Sequence, residues 1–162
     1  MVGISKDGTG SLTVRSSTVR GNSVTTTHPD ITYSAGGGGI AHTDGTLTVV
    51  NTTIEGNTAT GNIGAGAYGG GLYTSSGTAT LRNVTLARNS VAGPSAHGGN
   101  VAADLTGQLT VDNSIVAQGT APTPATNCYR YTSATITPVG RNLDSGSSCA
   151  FGAPHLSNTS AP

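Results

Sequence analysis

The sequence predicts an all-β protein: a single-stranded right-handed parallel β-helix, a pectate-lyase-like solenoid with three short strands per coil. Three observations predict it. Four segments align without gaps, a glycine block precedes each at near-constant distance, and no apolar period of 3.6 residues occurs. Composition sets the frame. Hydrophobic residues are 34% of 162, with no Trp and one Phe, too little bulk for a thick core. Charge is only 9% and balances to zero, which is not the signature of disorder. Few aromatics, 25 Gly and many Thr, Ser, Asn and Val fit a thin stack of small side chains in rows.

The aligned segments are GSLTVRSSTVRGNSV from Gly10, GTLTVVNTTIEGNTA from Gly45, GTATLRNVTLARNSV from Gly77 and GQLTVDNSIVAQGTA from Gly107. Their starts lie 35, 32 and 30 residues apart. One column is Thr throughout: Thr13, Thr48, Thr80 and Thr110. The apolar columns are Leu12, Leu47, Ala79, Leu109; Val14, Val49, Leu81, Val111; and Val19, Ile54, Leu86, Val116. Leu and Val alternate with Thr, so a strand here turns its apolar residues one way and its Thr residues the other.

The glycine block reads Gly37-Gly38-Gly39-Ile40, Gly69-Gly70-Gly71-Leu72 and Gly98-Gly99-Asn100-Val101, with Gly3-Ile4 as the tail of an earlier copy. Each coil thus offers three strands: the block, the Leu-Thr-Val run, and the run around Val19, Ile54, Leu86 or Val116. Stacked in register they give three parallel sheets rising about 4.8 Å per coil, roughly 20 Å for four coils. Right-handedness follows from the bias of parallel crossovers.

Two Asn columns accompany the repeat: Asn51, Asn83 and Asn113, with Ser16 in the first coil, and Asn22, Asn57 and Asn89, broken at Gly119. Both are expected to form inward ladders, amide bonded to amide, at corners whose left-handed backbone Asn tolerates. Arg20 aligns over Glu55 and Arg82 over Asp112, which reads as cross-coil surface ion pairs. Insertions fall at one corner, Thr25 to Ala35, Thr60 to Tyr68 and Ala92 to His97, where solenoids carry contact loops.

After Gly119 a Pro-rich break ends the regular pattern. Residues 1–119 are therefore read as the coils and 120–162 as an irregular C-terminal coil or cap. Cys128 and Cys149 lack Cys-x-x-Cys spacing and neighbouring His ligands, so a disulfide is expected, closing a loop worth roughly 3 kcal/mol. Tyr129, Tyr131 and Ile136 are expected to supply bulk there, and residues from Leu156 on to be loose.

At these columns the chain resembles the polymorphic outer-membrane-protein type of β-helix repeat, with its Gly-Gly-x-Ile and apolar-x-x-Asn elements. Here they read Gly38-Gly39-Ile40 with Ile54-Glu55-Gly56-Asn57, and Gly70-Gly71-Leu72 with Leu86-Ala87-Arg88-Asn89. The C-terminal stretch is similar to bacterial surface proteins of the choice-of-anchor type, through Asn127-Cys128, Gly140-Arg141-Asn142-Leu143 and Ser148-Cys149-Ala150-Phe151. The resemblance implies an exported bacterial protein, extracellular or at the cell surface. The chain itself carries no export signal after Met1, begins mid-coil and reads as a fragment.

Catalytic chemistry is sought in the acids, Asp7, Asp30, Asp44, Glu55, Asp104, Asp112 and Asp144. None shares a column with another acid, as a Ca²⁺-dependent lyase or an inverting hydrolase would require. His28, His42, His97 and His155 are isolated along the chain, and His28 and His97 read as exposed loop residues. The glycine blocks lack the helix and Lys-Ser/Thr of a phosphate cradle. No catalytic residue, metal or cofactor is expected.

Scattered Arg and zero net charge exclude a nucleic-acid stripe, and no run approaches a membrane span. The expected function is a non-catalytic structural or adhesive module, with glycans or other surface proteins as partners and end-to-end stacking of chains. The alternative is a polysaccharide-binding or polysaccharide-cleaving β-helix. The rank Thr13, Thr46, Thr48, Thr78, Thr80 and Thr110 is the expected contact face, and it resembles the ice-binding faces of some antifreeze proteins.

Overall fold

The computed structural model describes residues 3–27, 34–62, 64–131 and 133–157. They form a β-solenoid of about four turns, with only parallel strand pairs and no helix among them. The predicted columns are the observed register. In the sheet with the longest strands, Ser11–Arg15, Thr46–Val50, Thr78–Arg82 and Gln108–Asp112 pair so that Thr13, Thr48, Thr80 and Thr110 stand in one row. Leu47, Ala79 and Leu109 point inward from the same strands and are buried. The glycine-block sheet stacks Ile4–Lys6, Ile40–His42, Leu72–Thr74 and Val101–Ala103. A third sheet stacks Thr18–Arg20, Thr53–Glu55, Thr85–Ala87 and Ile115–Ala117, turning Val19, Ile54, Leu86 and Val116 into the same core.

A full coil carries two more strands than the three expected. Ser23–Thr25, Thr58–Thr60 and Ser90–Ala92 form a fourth sheet. Ala35–Gly36, Gly66–Tyr68 and Ser95–His97 form a fifth, from segments read as loop insertions. Their inward residues are mostly alanines (Ala35, Ala59, Ala67, Ala96, with Val91), which bury a small second cluster. Ala and Ser carry little strand propensity; the stacking of neighbouring coils supplies what local preference does not.

The segment after the Pro-rich break continues the winding. Cys128–Arg130, Thr135–Val139 and Leu143–Asp144 each add a strand in register to one of the first three sheets. Leu156–Ser157, expected to be loose, pairs on Leu143–Asp144. Cys128 and Cys149 are joined, and the cystine packs with buried Phe151 against the core. Ile136 lies partly buried against that core, whereas Tyr131 is 48% exposed and supplies no bulk.

Candidate functional site

The first Asn column does not point inward. Asn51, Asn83 and Asn113 are exposed and sit at φ of 49°, 53° and 48°, with Ser16 and Gly140 at 49° and 66° in the same corner. In that left-handed conformation the side chain splays outward, and after each of the three Asn the following residue turns in instead: Thr52, Val84 and Ser114 are buried. Asn83 Nδ2 still donates to Asn51 Oδ1 at 3.2 Å on the surface.

The second column is the inner ladder, and it is longer than the repeat suggests. Asn22 Nδ2 donates to Asn57 Oδ1 at 3.0 Å, and Asn57 to Asn89 at 2.9 Å. Where Gly119 breaks the column, Asn100 of the glycine block reaches across and accepts from Asn89 at 2.8 Å. Asn100 donates to Asn127 at 2.8 Å, and Asn127 donates to the buried carboxylate of Asp144 at 2.5 Å. The exchange is steric. A Cβ on Gly71 would come within 2.8 Å of Asn89 Nδ2, and one on Gly119 within 2.8 Å of Asn100 Nδ2. One of the two corner positions holds Asn only where the other is Gly. Second protons of the amides reach backbone carbonyls, Asn57 to Val19 and Asn89 to Ile54, so these buried groups are satisfied.

Both predicted ion pairs form, Arg20 with Glu55 at 3.3 Å and Arg82 with Asp112 at 3.1 Å. Arg88 joins Glu55 from the opposite side, a contact the column alignment missed because Arg88 lies one position beyond the row. The Thr rank gains Thr135 and Thr137, which pair beside Gln108 and Thr110. Thr46 and Thr78 are exposed, and Thr48, Thr80 and Thr110 are half-buried by their neighbours in the row.

One concentration of side chains went unread in the sequence. Tyr68 and His97 end adjacent strands of the fifth sheet, paired in register. Tyr73 and Tyr129 lie in one row of the glycine-block sheet, with Ala102 between them. The glycine turn joins the two sheets, so all four rings meet at one corner. Ring centroids are 6.0 Å apart for Tyr68 and His97, 5.9 Å for Tyr68 and Tyr129, and 4.5 Å for His97 and Tyr129. A column of three stacked rings would place its outer pair near twice the single spacing; these three distances describe a compact triangle, with His97 and Tyr129 stacked most closely. The planes lie within 16° to 27° of parallel, and Tyr73 extends the cluster at 6.2 Å and 30°.

Glycines beneath give the rings room. A Cβ on Gly36 would lie 2.7 Å from the Tyr73 ring, and one on Gly66 2.5 Å from that of Tyr68. His97, expected as an exposed loop residue, is half-buried here; His28 lies outside the described residues. Burial pushes the phenols of Tyr68, Tyr73 and Tyr129 up and the imidazole of His97 down. The signal for this corner was there: Tyr68, Tyr73 and His97 flank glycine blocks, and Tyr129 falls in the row of Tyr73 once the last coil is aligned.

The corner is polar at its rim. Tyr73 donates its hydroxyl to Asp104 at 3.1 Å. Thr123 donates its hydroxyl to the Ala96 carbonyl at 3.2 Å, so in the 3.1 Å contact between them His97 Nδ1 is the donor. His97 Nε2 is left as an acceptor. An open groove of about 580 Å³ lies beyond the cluster at the C-terminal end, between Tyr129, Arg130, Ile136 and the cystine. Comparison with family models, curated proteins and solved structures finds no match to this chain.

Proposed function

We propose that this chain is a non-catalytic rod and contact module of an exported bacterial surface protein. The observation that carries the reading is the use made of its carboxylates. Asp7 accepts from Thr43 and the Gly8 amide, Asp44 from the Gly45 amide, and Glu55 holds two arginines. Asp104 is held by Tyr73 and the Leu105 amide, Asp112 by Arg82 and Asn113, and Asp144 ends the Asn ladder. Each described acid fastens a turn or joins two coils, a structural use of charge. The cystine suits an oxidising compartment, and the resemblance of the repeat supports bacterial export.

The test is adhesion without turnover. Beads carrying the full chain are expected to attach to surfaces coated with bacterial envelope polysaccharide or with secreted protein. Incubation with pectin, xylan or polygalacturonate is expected to release no reducing ends and no unsaturated products. Release of either, or failure of the beads to attach to any coat, overturns the reading.

A further inference from the structure

We propose that the corner formed by Tyr68, Tyr73, His97 and Tyr129 is a binding subsite for a neutral pyranose residue of a glycan. This rests on the contact-module reading and names the chemistry of one contact. Aromatic rings in a protein favour stacked partners with an apolar face and a hydrogen-bonding edge. A pyranose ring has both: C–H bonds on its faces and hydroxyls around its rim.

The four rings supply the flat partner. Neighbouring planes lie within 16° to 30° of parallel, two of the rings rest over glycine, and all four are only half-buried, so part of the cluster is open to solvent. The rim supplies donors and acceptors in a small number, as ligand sites do. Asp104 and His97 Nε2 accept, and the Tyr68 and Tyr129 hydroxyls make no hydrogen bond among the described residues and are free to donate.

Charge selects the class of sugar. Asp104 is the acid within the cluster, held against Tyr73. A uronate, a sialate or a phosphate seated on the rings would place a second negative charge beside it, and Arg130 lines the adjoining groove rather than the ring cluster. A neutral hexose or pentose avoids both costs. The open groove lined by Tyr129 adjoins the cluster and has room for further sugar units.

The chain has no Trp, so its ultraviolet emission comes from its five Tyr, three of them in this corner. The experiment uses the full chain in gels containing hydroxyethyl cellulose, xylan, galactomannan or polygalacturonate. Titration of cellohexaose, xylohexaose and mannohexaose is followed by tyrosine emission. At least one neutral polymer is expected to retard the protein and its oligomer to change the emission saturably; polygalacturonate is expected to do neither.

The double variant Y68A/Y129A is expected to weaken binding at least about tenfold, corresponding to about 1.4 kcal/mol. If it does not fold, Y68L/Y129L keeps the apolar packing and removes the π faces, and the same loss is expected. Absence of retardation by every neutral polymer overturns the inference, as does full binding by the folded double variant. Attachment of beads to protein coats without glycan binding would sink this inference and leave the module reading standing. Cleavage of a bound glycan would do the reverse.

Discussion

Single residues in this solenoid differ most by which way they face at a corner. Asn89 is wholly buried and bonded on both sides, to Asn57 and Asn100. Replacing it with Ala strands the buried amides of both neighbours, and denaturant titration should show a loss of about 3 kcal/mol. Asn83 is exposed at φ 53°, so Gly there should change stability by no more than about 0.5 kcal/mol. Leu at the same position should cost about 1–2 kcal/mol through left-handed strain. Equal losses at Asn89→Ala and Asn83→Gly would contradict the assignment of the inner ladder.

His42 is the other residue with a measurable signature. It is fully buried, its Nδ1 lies 2.8 Å from Thr74 Oγ1, and its Nε2 has no partner among the described residues. Burial first, and then the nearby Lys6 cation, lower its pKa from the ordinary 6.5; Asp44 acts the other way and does not reverse it. The unfolded chain therefore binds a proton that the folded chain refuses. Stability should be full above about pH 6.5 and fall as the pH drops below it. His97 adds in the same direction. Asp7, lowered from 3.8, acts only in more acid solution, so the range between separates the two effects. Melting temperatures between pH 7 and pH 5 should fall less steeply in His42→Leu than in the parent; equal slopes would remove His42 from this role.

At the scale of elements, legibility followed side-chain contrast. The Thr sheet and the third sheet alternate Leu or Val with Thr, and their register could be read residue for residue, from Leu12 with Leu47 to Arg20 with Glu55. The fourth and fifth sheets are built mostly from Ala, Ser, Thr and Gly, whose burial leaves little hydrophobic trace. The fifth read as loop insertions for that reason, and the fourth was not separated from the strand before it. The last turn was obscured differently: Pro138 stands in the column of Val111, and Asp144 in that of Val116. Asn100 shows the deepest limit. Its sequence position is that of Gly39 and Gly71, and only the packing reveals that it fills the vacancy left at Gly119. The aromatic corner was hidden because its rings come from two columns that no single alignment joins.

For the whole molecule, the consequential fact is that its two ends differ. Thr135 donates to the Gly107 carbonyl and Val139 accepts from the Asn113 amide. Alternate residues of that strand thus face the neighbouring coil, and Ile136 and Pro138 face away. Proline has no N–H to offer there, which blunts the edge. Nearby, Ser148 Oγ accepts the Asn127 and Cys128 amides, and Leu156–Ser157 covers Leu143–Asp144. The end-to-end stacking expected from the repeat meets an obstacle at this end. Pro138→Val should restore the donor, and light scattering at high concentration should then show more self-association than in the parent. An unchanged distribution would mean that the proline is not what limits pairing.

The Asn ladder has an electrical consequence as well. In each amide-to-amide bond of it the donor lies on the N-terminal side, from Asn22 through Asn57, Asn89 and Asn100 to Asn127. The side-chain dipoles therefore add along the axis rather than cancel, with the positive end deep in the last coil. Asp144 stands at that end, as an acidic residue stands at the first turn of a helix. With no helix among its described residues, the protein has assembled from side chains what a helix makes from its backbone, and has set an acidic residue at the end where the summed field favours one.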